Sequence, residues 1–475
     1  ISKLELQLVQ LQKFIFSGKQ EKFIPAANNL QMDMFPTEKL AEVVVVKETK
    51  VPAHTKVKTA VRINHKGRNP LPTHLRREVV ELEPTEDITG LKAVGEEITE
   101  TLAYQAAEIF VKQIKRKEYI KLSADGLSAK RIIAPLPDNG FSKCVADTSL
   151  LTHISTSKYI DHLPIYRLQQ IFKRDKVTID EATIYNWLKR ICNLLEPLYH
   201  LHRKTILSTK YLSADETTIK VLDEEKKGAT HQGYFWGYYD TLNKLVLFEY
   251  QKGRTAIHPK EMLHDYQGYL LTDGYEGYGQ FDDMPDIVTL NCWAHARRKF
   301  YDALSFDKVK CEAVLTLIGK LYEIEREHKM DTAATIQAVR QTNAVPVLNE
   351  LHQLLTTYQA QAIPGTPLYT AINYTLVRWQ KLNVYTTDGN LKIDNNLLEN
   401  SIRPIAIGRK NYLFAGNHEA AQRSAMLYSL FATCKLHTIN PIEWLTYVFE
   451  NINDHKINAI EQLLPQNYAA LLSKQ

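Results

Sequence analysis

The sequence predicts a multidomain α/β protein built on a mixed five-stranded sheet with helices and interrupted by an all-helical insertion. Three observations carry that expectation. At 475 residues the chain exceeds what one hydrophobic core usually serves. From Lys210 three period-two runs follow one another (KYLSADETTIKVLD, GYFWGYYD, KLVLFEYQ), and strand-like GYLLTDGY and DIVTLNCW then alternate with helical stretches. From about Cys311 to Lys381 strand signals vanish and the pattern is helical, broken only around Pro364 to Pro367.

Residues 1–46 begin with Leu4, Leu8 and Leu11 at helical spacing, which fits either one amphipathic helix or the end of a coiled coil. The chain opens on Ile1 rather than Met, and we read it as lacking its natural beginning. Residues 47–83 form a basic linker. Between Lys47 and Arg77 nine Lys or Arg (47, 50, 56, 58, 62, 66, 68, 76, 77) face only Glu48, and Pro52, Gly67, Pro70 and Pro72 are interspersed. Such a segment buries no core; it either spans two domains or follows a phosphate backbone by counterion release.

Residues 84–140 read as a small mixed unit with a strand-like stretch ending in a second basic cluster. Residues 141–205 read as helices with a break at Val177 to Asp180, where Asp180 is a candidate N-cap. The second of these helices carries Thr183, Tyr185, Asn186, Lys189 and Arg190 on outward positions, as a helix-turn-helix reader of DNA would. The sheet-forming core then spans 206–305 and 386–475, with the helical insertion at 306–385 and a helical tail at the end.

Composition narrows the class. Hydrophobic residues make up 44% and charged residues 24%, as in ordinary soluble proteins, and no apolar run approaches the roughly 18 residues a membrane span requires. The net charge of +5 is too mild to argue a nucleic-acid partner by itself. Five scattered cysteines (Cys144, Cys192, Cys292, Cys311, Cys434) suit a reducing compartment and suggest a cytoplasmic protein.

Three carboxylates stand out by setting. Asp215 lies inside the first strand, in LSADETTIKVL; Asp273 ends the fourth, in YLLTDGYEGYG; Glu399 sits in DNNLLENSIRP behind Asp394, a candidate N-cap. Asn395, Asn396 and Arg403 fall at i−4, i−3 and i+4 from Glu399 and share its helical face. Two strand aspartates and a helix glutamate could hold two hard cations about 4 Å apart, Mg²⁺ or Mn²⁺, for an in-line phosphoryl displacement. On spacing alone, three acids among many could be assembled by chance.

The segments SADET, TDGYEGY, CWAHARRKF and above all IDNNLLENSIRPIAIGRKNYLFAGN resemble the transposases of the insertion sequence 66 family, a likeness continuing through SKYIDHLPIYRLQQIF and LLPQNY and covering about residues 15–470. The resemblance implies a ribonuclease H-like core with Asp215, Asp273 and Glu399 as the catalytic, metal-holding triad, working with two divalent cations. It implies hydrolytic nicking of double-stranded DNA at element ends and attack of the freed 3′-hydroxyls on target DNA. It also implies a homo-oligomer on paired ends in a bacterial cytoplasm, associated with the nucleoid. Cys292 and His295 match a Cys-x-x-His that follows the second aspartate in several such enzymes; a packing or helix-orienting role suits two ligands better than zinc, which takes four. Arg297, Arg298, Arg403, Arg409 and Lys410, with Lys189 and Arg190 upstream, are the candidates for DNA phosphates.

One departure is plain. Relatives carry paired Cys-x-x-Cys motifs in the region corresponding to 85–135, where this chain has no cysteine, so we expect no structural zinc there. That loss, with the basic linker, leaves a second expectation open: a catalytically idle DNA-binding relative with a regulatory role.

Overall fold

The computed structural model describes residues 144–472 apart from 224, 225 and 227, the strand segments 118–122 and 129–133, and residues 109, 111 and 141. The expectations for the leucine-spaced start, the basic linker and most of the cysteine-free unit therefore lie outside the described residues. Within that unit, β1 (Glu118–Leu122) and β2 (Ala129–Ile133) pair antiparallel.

Helices α1 (Thr148–Tyr159), α2 (Ile165–Arg174) and α3 (Glu181–Leu207) come next. Asp147 caps α1 by accepting the Ser149 N–H. Asp180 does occupy the N-cap position of α3 with extended backbone, but its side chain makes no capping hydrogen bond. Apolar residues of α3 recur at helical spacing (Ile184, Leu188, Ile191, Leu195, Leu198) and are all buried. The far half of α3 lies on the sheet: the Tyr199 hydroxyl donates to the Phe248 carbonyl at 2.7 Å, and His202 Nε2 meets the Val246 carbonyl at 2.9 Å.

The sheet has five strands, β3 (Tyr211–Leu222), β4 (Thr230–Asp240), β5 (Leu245–Gln251), β6 (Gly268–Thr272) and β7 (Ile287–Asn291), in the order β5-β4-β3-β6-β7. The first three form an antiparallel meander; β6 runs parallel to β3 and β7 parallel to β6. A parallel partner requires a crossover, supplied for β6 by α4 (Ile257–Met262). Each of the five strands predicted from Lys210 onward is present, within three residues of its expected ends.

Alternation of side chains divides the core in two. Leu212, Ala214, Trp236, Tyr238, Leu247 and Leu270 face one side, where Ile206 of α3 and Met262 of α4 cover them. On the other side Tyr211, Leu271 and Leu290 meet α5 (Trp293–Asp302) and the helices beyond it: α6 (Lys308–Glu327), α7 (Ala333–Val339), α8 (Val345–Gln359), α9 (Pro367–Val377) and α10 (Trp379–Asn383). This stretch is helical throughout, with Pro367 in the first turn of α9. Side chains fasten it to the rest: Trp293 Nε1 donates to the Leu382 carbonyl at 2.7 Å, and the buried Arg340 donates to the carbonyls of Tyr385, Asp388 and Leu391 and pairs with Glu325.

The chain then returns to the sheet as α11 (Asn396–Tyr412) and α12 (His418–Leu436), followed by α13 (Pro441–Asn451) and α14 (Pro465–Leu472). All five cysteines are free thiols. Among the described residues no helix is long and apolar enough to cross a membrane.

Candidate active site

The two aspartates are brought level by strand pairing. β3 and β6 run side by side with Tyr211 opposite Tyr269 and Ser213 opposite Leu271, and continuing that register by two residues sets Asp215 beside Asp273. β6 ends at Thr272, so Asp273 opens the loop beyond a parallel strand's carboxyl end, where α/β sheets commonly place ligands. Both aspartates are half-buried. Burial first, and the neighbouring Asp273 next, push the Asp215 carboxyl well above the usual carboxylate range, with Glu216 and Glu399 adding to the rise.

The Asp273 loop is held from several directions. Asp273 Oδ1 accepts the Tyr275 N–H at 2.8 Å. Its carbonyl accepts the Tyr374 hydroxyl, and Arg378 Nη2 donates to the Gly274 carbonyl at 2.9 Å. Gly274 has φ +87°, a backbone turn that favours glycine, and a Cβ there would stand 2.5 Å from Arg378 Nε.

Glu399 reaches the same place from α11. That helix lies across β3 and β4, and Gly237, level with Asp215 on the neighbouring strand, makes room for Leu398: a Cβ at 237 would meet Leu398 Cδ1 at 3.1 Å. The carboxylate of Glu399 stands 3.9 Å from His295 Nε2 and 4.0 Å from Arg298 Nη2, both on α5. Its Oε1 is buried with no hydrogen-bond donor among the described residues. Burial lowers the His295 pKa, against the pull of Glu399.

Cys292 joins three elements. Its N–H donates to the Thr272 carbonyl at 3.1 Å, and its fully buried sulfur accepts the Asn395 N–H at 3.2 Å. Burial pushes the thiol pKa up. The start of α11 differs from expectation by one residue. Asn395, not Asp394, is the N-cap, and it makes no side-chain cap bond; Asp394 instead accepts the Asn396 N–H and side-chain amide. The shared face expected for Asn395, Asn396 and Glu399 is thereby broken: Asn395 precedes the helix, is 1% exposed and donates Nδ2 to the Ala214 carbonyl at 3.3 Å. Asn396 turns back to Asp394.

The cationic candidates separate. Lys189, Lys410 and Arg298 are exposed, and Arg190, Arg297 and Arg403 are half-buried. Arg409 points inward, where Nη1 donates to Thr217 Oγ1, the Thr218 carbonyl and Thr218 Oγ1 at 2.7 to 3.1 Å, tying α11 to β3.

Sequence reasoning passed over Glu216, Arg254, Tyr374 and Arg378. Glu216 had a signal, since it follows Asp215 directly; the others lie far along the chain with no local pattern. Among the described residues no three of His, Cys, Asp and Glu already stand close enough together to hold an ion, and Glu399 lies beside His295 and Arg298. The three carboxylates offer oxygen donors only, as hard divalent cations prefer.

Comparison with known proteins agrees with the motifs. The family model described as "Transposase IS66 family" matches residues 143–423, "IS66 C-terminal element" matches 429–466, and "Transposase C of IS166 homeodomain" matches 3–80. The uncharacterized protein y4jD of Sinorhizobium fredii is 31% identical over 422 residues, covering 84% of this chain and 82% of its own. The uncharacterized protein y4qI of the same organism is 30% identical over 416 residues, covering 83% and 76%. With the first model alone spanning more than half of the sequence, the chain belongs to the IS66 transposase family.

Proposed function

We propose that this chain is a metal-dependent DNA transposase with a ribonuclease H-like core, in which Asp215, Asp273 and Glu399 hold two divalent cations, Mg²⁺ or Mn²⁺. The observation that carries the reading is the level placement of Asp215 and Asp273 on parallel neighbours, with Glu399 near enough to raise the Asp215 pKa. The strand order, a meander followed by two parallel strands, supports the core assignment.

When bound, the cations would activate the attacking oxygen and stabilise the leaving one in an in-line displacement. The chain's residues have distinct parts in this. Asp215, inside β3, and Asp273, just beyond the end of β6, are the carboxylate donors fixed by the sheet. Glu399 is the adjustable donor: its side chain must turn from His295 and Arg298 toward the aspartates, and the Arg298 guanidinium offsets its charge until it does. Cys292 and Asn395 hold the start of α11 against the sheet and so set the depth of Glu399. Lys410, Lys189, Arg190, Arg297, Arg298 and Arg403 would contact the phosphates of double-stranded DNA, both element ends and target, and the homeodomain match at 3–80 suits the same partner. A homo-oligomer on paired ends in the bacterial nucleoid completes the proposal.

The test is Mg²⁺-dependent nicking of DNA carrying the element's terminal repeats by wild type and by Asp215→Asn. Loss of nicking in the variant is expected; equal nicking by both sinks the proposal. DNA binding by wild type without cleavage or joining, even under Mn²⁺, would make the protein an idle relative with a regulatory role.

A further inference from the structure

Asp215 lies in β3 and Asp273 in the loop that follows β6, and like charges side by side repel. Something must keep Asp273 in place against Asp215, and the structure contains a continuous set of contacts that does so from the opposite face of the sheet.

The set begins at Glu216. As the residue after Asp215 in a strand it projects to the other face, and its side chain is 2% exposed. A buried carboxylate is costly unless paired and hydrogen-bonded. Arg254, from the connection between β5 and α4, supplies the pairing with two guanidinium nitrogens on Oε1, and the Tyr278 hydroxyl donates to Oε2 at 3.2 Å. Arg254 then leads back to the acid loop. Its guanidinium lies 3.9 Å from the centre of the Tyr275 ring, and the Tyr275 hydroxyl donates to the Arg254 carbonyl at 2.6 Å. Tyr275 closes the path by donating its backbone N–H to Asp273 Oδ1 at 2.8 Å.

We infer that Glu216, Arg254 and Tyr275 form a positioning bracket that aims the Asp273 carboxylate at the ion site shared with Asp215. The inference rests on the proposed metal-holding role of the two aspartates. Arg254 is 42% exposed, and an ordinary exposed ion pair at this position would contribute little. Here its partner is buried, and a planar group is needed that can fork onto a carboxylate while stacking on a phenol ring, which lysine cannot do. Groups that orient metal-holding side chains without touching the metal commonly change affinity or rate by about 10- to 100-fold when altered.

The experiment uses the full chain with Arg254→Lys, which keeps the charge, Glu216→Gln, which keeps the shape, and Tyr275→Phe, which removes one hydroxyl. Free Mn²⁺ is followed by electron paramagnetic resonance without DNA, and nicking kinetics are measured separately. Arg254→Lys and Glu216→Gln are expected to melt as cooperatively as wild type while losing about tenfold or more in Mn²⁺ affinity and in kcat, with the KM for DNA unchanged. Their combination should be no worse than either alone, because both break one contact. Tyr275→Phe should give a smaller loss of the same kind.

Folded variants whose Mn²⁺ affinity stays within about twofold of wild type would overturn the bracket, given the size of effect such groups show. So would a change in KM alone, which would make Arg254 a DNA contact. Asp215→Asn separates the two levels. If Mn²⁺ binding survives that substitution, the metal-holding reading itself falls and the bracket with it. If it is lost there but kept in the bracket variants, only the bracket falls.

Discussion

The Tyr374 hydroxyl donates to the carbonyl oxygen of Asp273 at 2.6 Å, across 101 residues of chain. Arg378, the residue that ends α9 one turn later, lies 4.1 Å from the Tyr374 ring and donates to the next carbonyl, Gly274. A helical stretch that contributes none of the three acids thus holds the backbone of one of them. Tyr374→Phe removes the hydroxyl and leaves that carbonyl short of a donor. We expect a stability loss of about 1 kcal/mol and a several-fold fall in the nicking kcat with little change in KM, read from urea unfolding and steady-state cleavage. A fall in KM-dependent terms alone would assign Tyr374 to DNA binding instead.

Gly237 controls the seating of α11. A methyl group there would press on Leu398 Cδ1 and Phe248 Cε1, each 3.1 Å away. Gly237→Ala should cost about 1 to 3 kcal/mol, the usual range for overpacking, and should lower nicking by lifting Glu399 from the aspartates. Leu398→Val, which shortens the obstructed side chain, should restore part of both in the double variant. Calorimetry and cleavage rates measured on the three proteins check this.

A pH dependence follows from His202. The residue is fully buried, its Nε2 faces the Val246 carbonyl and Thr433 Oγ1, and its Nδ1 is buried without a partner among the described residues. Nε2 therefore carries the proton, and a second proton on Nδ1 would have no acceptor. Burial lowers the pKa from 6.5 to about 4, with His437 nearby adding to the lowering. Because the folded value lies below the unfolded one, the neutral form is favoured by folding. The contribution, at most about 3 kcal/mol, is complete above pH 6.5 and is lost as pH falls toward 4. Urea unfolding at pH 7.5 and pH 5 should show a smaller difference in His202→Gln than in wild type; an equal difference would remove His202 as the cause.

Adjacent cations on α11 should behave oppositely. Arg409 is bonded to Thr217 and Thr218, so Arg409→Ala should cost about 2 kcal/mol of stability, as lost hydrogen bonds to a charged group do. Lys410 is exposed, and Lys410→Ala should leave stability within about 0.5 kcal/mol. Its effect should appear in DNA binding, as a uniform weakening with the salt slope reduced by about one. Fluorescence anisotropy at several salt concentrations reads the second effect, thermal unfolding the first.

Much of the sheet was readable from residue order because its signals are local. Period-two runs such as KYLSADETTIKVLD and turn residues between them predicted β3 to β7, and Asp273 at a strand end followed directly. Spacing could also suggest Glu399, but only its surrounding motif separated it from other acids. What stayed hidden depends on contacts between distant segments. Nothing local in Arg409 says that it folds back on β3, and nothing in Tyr374 says that it meets Asp273. One cap was misplaced by a residue: Asp394 and Asn395 are both good N-cap types, and Asn395, whose N–H donates to the Cys292 sulfur, takes the position. Asp180 took its expected position without the expected bond, a difference of side-chain rotation that residue type alone does not determine.

The central claim is that Asp215 and Asp273 share a cation with Glu399 beside them. Anomalous scattering from crystals soaked in Mn²⁺ tests it directly. The account predicts a manganese peak bridging the two aspartate carboxylates, with Glu399 turned from His295 and Arg298 toward it, and no peak there in Asp215→Asn. Manganese bound elsewhere, or unchanged in that variant, would contradict it.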